Sequence, residues 1–107
     1  MKLPDNIEGL VKAQNDLDST AFAAHFTADA TVSDEGSSYY GRDEIRDWIQ
    51  EASEKYSMQL KPIDFSQNGS KGKLTVEVSG TFPGSPAVME YHFGFEDTLI
   101  GSLKITG

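Results

Sequence analysis

Apolar positions recur along this chain with two different periods, and the change of period divides it. Up to Ser57 the spacing is helical. Ile7, Leu10, Val11 and Leu17 mark one face of a first helix, with Gln14 the one polar group in that stripe and Gly9 weakening the helix slightly. Leu3-Pro4-Asp5 starts it, with Asp5 as N-cap and Glu8 completing an Asp-x-x-Glu capping box. Asp18-Ser19-Thr20 ends that helix and caps a shorter one, on which Phe22 and Phe26 face the same way. A brief strand around Thr31–Asp34 follows, then a loop carrying Tyr39 and Tyr40. A third helix opens at Gly41-Arg42-Asp43-Glu44, with acids where the helix dipole favours them. Ile45, Trp48, Ile49, Ala52 and Tyr56 keep its spacing and make it the clearest helix in the chain.

Beyond Ser57 the period falls to two. Met58 and Leu60 alternate with polar residues, and Pro62 marks an edge or bulged strand. Asn68-Gly69 predicts a hairpin turn. Leu74, Val76, Val78, Gly80 and Phe82 then alternate with Lys73, Thr75, Glu77, Ser79 and Thr81, the pattern of a half-buried antiparallel strand. Pro83-Gly84-Ser85-Pro86 connects to a strand from Met89 to Phe95. Its inward face carries Tyr91, Phe93 and Phe95, and its outward face Glu90 and His92. Asp97-Thr98 turns into a last strand through Leu103 and Ile105. Helices first and a meander of strands afterwards predict an α+β fold: three N-terminal helices packed on a strongly curved antiparallel sheet. Such a sheet wrapped around a long helix leaves a cone, whose wide end is a natural pocket.

Length adds that residues 1–107 make a single domain with one modest core. Charge narrows the partners. The formal net charge is −8, and nine Lys and Arg lie scattered among seventeen acids. No cluster of cations is available for phosphate, so no nucleic-acid partner is expected. No apolar run approaches a membrane span, and no membrane partner is expected. Met1 leads straight into the first helix without a signal segment, and cysteine is absent. Both fit a cytoplasmic protein.

The stretch from Phe26 to Gly41, FTADATVSDEGSSYYG, brings a carboxylate, aromatic rings and chain reversals together. Asp34 at the end of its strand reads either as a general base at an apolar cavity or as an ordinary turn residue. Tyr91 reads either as a hydroxyl offered to a ligand oxygen or as a core tyrosine bonded to backbone. Phe22, Phe26, Trp48, Tyr56, Phe82 and Phe93 line such a pocket or simply fill the core, and Trp48 is the best lining candidate. Tyr39 or Tyr40 closes the pocket mouth. Gln14 reaches in from the first helix or sits at the border of the stripe, with the border favoured. Of the two histidines, His92 should face outward and His25 should be structural. Neither has a second ligand at metal-binding spacing, and no metal or cofactor is expected.

Four motifs in order resemble the SnoaL-like branch of the nuclear transport factor two-like superfamily, which also holds ketosteroid isomerase. They are the Asp18 cap before Phe22–Phe26, the ADATVSD stretch, Gly41-Arg42 followed by Ile45 and Trp48, and the GTFPGSP turn at Gly80–Pro86. The resemblance covers nearly the whole chain and implies a cystatin-like cone. It also implies that Asp34 falls where the isomerase keeps its general base. Leu10 falls where that enzyme has a tyrosine donor on its first helix, and Tyr91 where it has a protonated aspartate. Asp34 as base and Tyr91 as hydrogen-bond donor would act on a small, mostly apolar carbonyl compound, as an isomerase or cyclase does. The alternative is a non-catalytic binder of a small hydrophobic molecule in the same pocket. The resemblance further implies a homodimer through the outer sheet face, carrying Thr75, Glu77, Ser79, Thr81, Glu90 and His92.

Overall fold

The computed structural model describes residues 2–107, and its first helix already shows how local chemistry sets the boundaries. This helix, α1, spans Asp5–Asn15. Asp5 is not its cap. Pro4 holds φ −56° and ψ 150° and turns the chain inward, so its carbonyl accepts the Glu8 N–H at 2.9 Å. Asp5 therefore falls inside the first turn, where it meets the helix dipole instead of capping. Leu17, read as part of the apolar stripe, lies beyond the helix end with φ 58° and is exposed. Asn15, the last helical residue, clasps the backbone of Leu60. Its Nδ2 donates to the Leu60 carbonyl at 3.0 Å, and its Oδ1 accepts the Leu60 N–H at 2.7 Å.

The second helix, α2, spans Ser19–Ala24, and here the expected cap is present: Asp18 Oδ1 accepts the Ala21 N–H at 3.0 Å. Asp18→Ala should lower stability by about 1 kcal/mol. Urea unfolding checks this, and a loss within error would show that the cap contributes nothing. The helix stops before Phe26, which instead opens the strand β1, Phe26–Asp34. The two rings still meet, with centroids 5.4 Å apart, because the turn after α2 brings the strand back under it.

Tyr39 and Tyr40 lie on a strand, not a loop. Strand β2, Ser37–Tyr40, pairs antiparallel with β1, Asp34 opposite Ser37 and Val32 opposite Tyr39. Glu35 and Gly36 form the two-residue turn with φ 52° and 78°. Both positive values match the right-handed twist of a hairpin, and the glycine makes the second one easy. The third helix, α3, spans Gly41–Tyr56. Arg42 Nε donates to the Phe26 carbonyl at 2.8 Å and ties its start to β1. It ends at Ser57, which takes a left-handed φ of 49°.

Strands β3 (Gln59–Asn68), β4 (Lys71–Ser79), β5 (Ala87–Glu96) and β6 (Leu99–Thr106) form the expected meander. The six-stranded curved sheet has the order β2-β1-β6-β5-β4-β3. The α+β expectation holds, with one difference: β1 runs parallel to β6. After α3 crosses the sheet, the four-stranded meander returns β6 beside β1 in the same direction. Period-two patterning marks strands but not their direction. β3 is an edge strand with an irregularity between Pro62 and Asp64, as its proline required. β4 ends at Ser79, sooner than the alternation suggested. A Cβ on Gly80 would stand 2.5 Å from the Tyr56 carbonyl, so this is where the chain passes closely under the end of α3. Phe82 thus belongs to the following loop. The inward faces of β4, β5 and β6 (Leu74, Val76, Val78, Phe93, Leu103) pack on Ile7 and Leu10 of α1 and on Ile45 and Ile49 of α3. Among the described residues no helix is long and apolar enough to cross a membrane.

Candidate functional site

The wide end of the cone holds a cavity of about 500 Å³. Three features of the sequence build it. The β1–β2 turn ends β1 at Asp34 and so places that carboxylate on the rim. The spacing of α3 turns Trp48, Ala52 and Tyr56 to one side. The alternation of β5 sends Met89 and Tyr91 inward. Asp34, Tyr91, Trp48, Tyr39, Tyr56, Phe82 and Gln14 all line this one space. The Tyr39 ring stacks on Trp48 with centroids 5.5 Å apart, and Tyr56 meets Phe82 edge-on at 6.0 Å. Tyr40, its neighbour on the other face of β2, is 62% exposed, so Tyr39 is the tyrosine at the cavity mouth.

Three expected lining residues are elsewhere. Phe26 and Phe93 are wholly core residues. Phe26 is enclosed beneath α2 and α3, and Phe93 lies two residues farther along β5, where it stacks on Phe95 at 5.6 Å. Phe22 is equally buried and touches a different hollow, between α1, α2 and α3, bordered by Ser19, Gln50 and Glu54. Sequence spacing put them on apolar faces correctly, but an apolar face does not distinguish core from cavity wall. Conversely, Met58, Met89 and Ile105 line the cavity unannounced. A signal existed for two of them. Met89 shares the inward face of Tyr91, and Ile105 is the cross-strand partner of Tyr91.

Gln14 corrects the expectation of a stripe-border residue. It is 2% exposed, and its Oε1 accepts the Tyr91 hydroxyl at 3.2 Å. Burial raises the pKa of Tyr91 above that of an ordinary phenol. The Gln14 hydrogen bond offsets part of the rise, and the nearby charge of Asp34 adds to it. The phenol therefore keeps its proton, and that proton is directed to Gln14. Asp34 is half-buried. Burial raises its pKa above 3.8, the adjacent Glu35 raises it further, and the Trp48 indole N–H offsets part of the rise. A carboxylate so placed is poorly solvated when ionised, which favours taking a proton.

The histidines lie outside the cavity. His25 packs against Gly9, where a Cβ would come within 2.8 Å of its ring, so the helix-weakening glycine makes room for it. Burial lowers its pKa. His92 is on the outer face of β5, with Nε2 3.0 Å from Thr106 Oγ1. Among the described residues no three His, Asp or Glu side chains gather as a metal-binding group.

Comparison with known proteins bears on the family and the fold. The profile of the SnoaL-like domain family matches residues 7–100. A structure from Sinorhizobium meliloti, assigned as a polyketide cyclase, shares 34% identity over 97% of this chain and 95% of its own, with a TM-score of 0.93. A protein of ketosteroid isomerase-like fold from Catenulispora acidiphila, solved with trimethylamine, superposes with a TM-score of 0.89 at 18% identity, covering 99% of this chain and 87% of that one. The epoxide hydrolase/cyclase-like enzyme SalBIII, of salinomycin pyran-ring formation, gives 0.77 at 17% identity, covering 94% and 86%. The last two likenesses concern fold alone. No curated protein matches the sequence significantly.

Proposed function

The chain belongs to the SnoaL-like domain family, and from that premise we propose that it is an isomerase- or cyclase-type enzyme using Asp34 as general base on a small, mostly apolar carbonyl compound. One observation carries the reading: a half-buried carboxylate with a raised pKa faces an aromatic-walled cavity of about 500 Å³. The likeness to the Sinorhizobium meliloti protein assigned as a polyketide cyclase supports it. Asp34 takes a proton from the carbon next to the carbonyl, and the electron pair moves onto the carbonyl oxygen as an enolate. Return of the proton to another carbon completes an isomerisation. Attack of the enolate carbon on a second carbonyl, with the proton held by Asp34 passing to the alkoxide so formed, completes a cyclisation. The raised pKa brings the base closer to its carbon acid, which lowers the barrier to transfer.

The test is deuterium exchange at the α-carbon of 1-tetralone, a bicyclic ketone small enough for the cavity, followed by NMR in heavy water. Exchange above the buffer rate is the expected result. A second reading, a non-catalytic binder of a small hydrophobic molecule, draws on the Tyr91 proton, which is already held by Gln14. Binding of tetralone without exchange would favour that reading over the first.

We also propose a homodimer through the outer face of the sheet, where Thr75, Glu77, Glu90 and His92 stand half-buried on β4 and β5. Lys73 Nζ lies 3.6 Å from Glu90 there, so the face is polar and the interface should be wet. Light scattering at micromolar concentration should give twice 11.7 kDa. A monomeric mass removes the dimer.

A further inference from the structure

We infer that Gln14, and not Tyr91, supplies the hydrogen bond that receives the substrate's carbonyl oxygen, and that Tyr91 is the positioning residue that aims it. The inference rests on the reading of the cavity as a site for carbonyl compounds.

The argument begins with donors. A tyrosine hydroxyl has one proton, and that of Tyr91 is given to Gln14 Oε1 at 3.2 Å. Tyr91 is 3% exposed, and burial together with the charge of Asp34 keeps the phenol protonated. What it can offer a ligand is lone pairs, which a carbonyl oxygen cannot use. Gln14 is differently placed. Accepting through Oε1 turns its Nε2 away from the phenol, and Nε2 carries two N–H donors. Among the described residues Nε2 has no hydrogen-bond partner, although the side chain is almost wholly buried. It has no isolated, sealed-off polar atom either. The two facts agree when the amide nitrogen opens onto one of the two spaces that Gln14 lines, the wide-end cavity and the hollow between the helices, and we assign it to the first, where its partner Tyr91 also stands. A buried amide with donors free at a cavity wall suits an acceptor oxygen on a ligand.

Asp34 lines the same cavity. A ketone can then present its α-hydrogen to Asp34 and its oxygen to Gln14. The ligand class follows: a neutral compound whose carbonyl oxygen lies next to the carbon that loses the proton. A carboxylate ligand would meet three carboxylates in the lining, Asp34, Glu35 and Glu51, against one cation, Lys55. Glutamine does not titrate, so the donor works at any pH at which Asp34 is ionised.

The probe is 1-tetralone, and the control is tetralin, which has the same rings without the oxygen. The carbonyl stretch of bound tetralone should lie to the red of its value in hexane. Gln14→Met combined with Tyr91→Phe, which removes the phenol proton that loss of Gln14 would free, should return it toward the hexane value and weaken tetralone binding roughly five- to tenfold relative to Tyr91→Phe alone. Tetralin affinity should not change. Tyr91→Phe should shrink and broaden the red shift, since the amide loses its fixed orientation. An unchanged shift in that variant removes the positioning role. If the combined variant fails to fold, the native protein still decides. Tetralone, but not tetralin, should move the Gln14 side-chain amide resonances downfield, and unmoved resonances overturn the inference. Tetralone bound without a red shift, or with one that survives the combined Gln14→Met and Tyr91→Phe variant, overturns it while leaving Asp34 as base untouched. Failure of both tetralone and tetralin to bind overturns the cavity reading and this inference together.

Discussion

Asp34→Asn is expected to slow the α-deuterium exchange of 1-tetralone by about 10²–10⁴-fold, the range typical for loss of a positioned general base. Asparagine keeps the shape and the hydrogen-bonding capacity of the side chain and removes its basicity. The pH dependence separates this from a packing effect. Native exchange should rise as Asp34 ionises and then level off, with a midpoint above 3.8 because burial and Glu35 hold the proton on. The residual rate of the variant should lack that step. Stability should move the other way. A group whose folded pKa is raised contributes stability below its unfolded value and loses it as pH rises through the folded value. The native protein therefore carries a cost above that midpoint which the Asn variant escapes. In urea unfolding, Asp34→Asn should be as stable as native or more so on the alkaline side of the titration, with the advantage gone on the acid side. A variant that exchanges tetralone at the native rate would remove Asp34 from the chemistry.

How far such a site can be read before folding depends on the residue. Asp34 and Tyr91 were reachable because each depends on a short-range rule: a strand that ends in a turn, and an alternation that runs unbroken from Met89 to Phe95. Trp48 and Tyr56 came from helical spacing in α3 for the same reason. The Glu35-Gly36 turn was less plain. Asp-Glu-Gly reads as a turn, but only the pairing of Val32 with Tyr39 shows that a strand continues after it. The parallel ladder between β1 and β6 joins segments far apart in sequence, and no local pattern encodes its direction. Gln14 was the hardest case. Its position one turn beyond Leu10 places it on the buried face of α1, yet its partner, Tyr91, lies 77 residues away. A polar residue in an apolar stripe signals either a border or an internal bond, and only the tertiary contact decides between them.

The same limit misplaced Phe22, Phe26 and Phe93, and Phe26 gives the sharpest check on the difference between core and cavity wall. Phe26→Ala should cost about 3–5 kcal/mol of unfolding free energy. The ring is fully buried and packs on Phe22 at 5.4 Å. Its backbone is held independently, since the carbonyl accepts from Arg42 Nε and the residue pairs with Ile100. The loss should therefore come from the side chain alone, through lost transfer energy and the void left behind. Domains of this kind are stable by only about 5–15 kcal/mol, so the variant should be folded but near its limit. Ligand binding gives the second half of the test. Phe26 does not line the cavity at the wide end, so tetralone affinity in the folded protein should stay within about twofold of native, a small energy on the binding scale. Phe26→Leu, with a smaller loss of stability, provides the same comparison far from the folding limit. A Phe26→Ala protein of near-native stability, or a Phe26→Leu protein that binds tetralone tenfold more weakly, would put Phe26 back in the cavity wall.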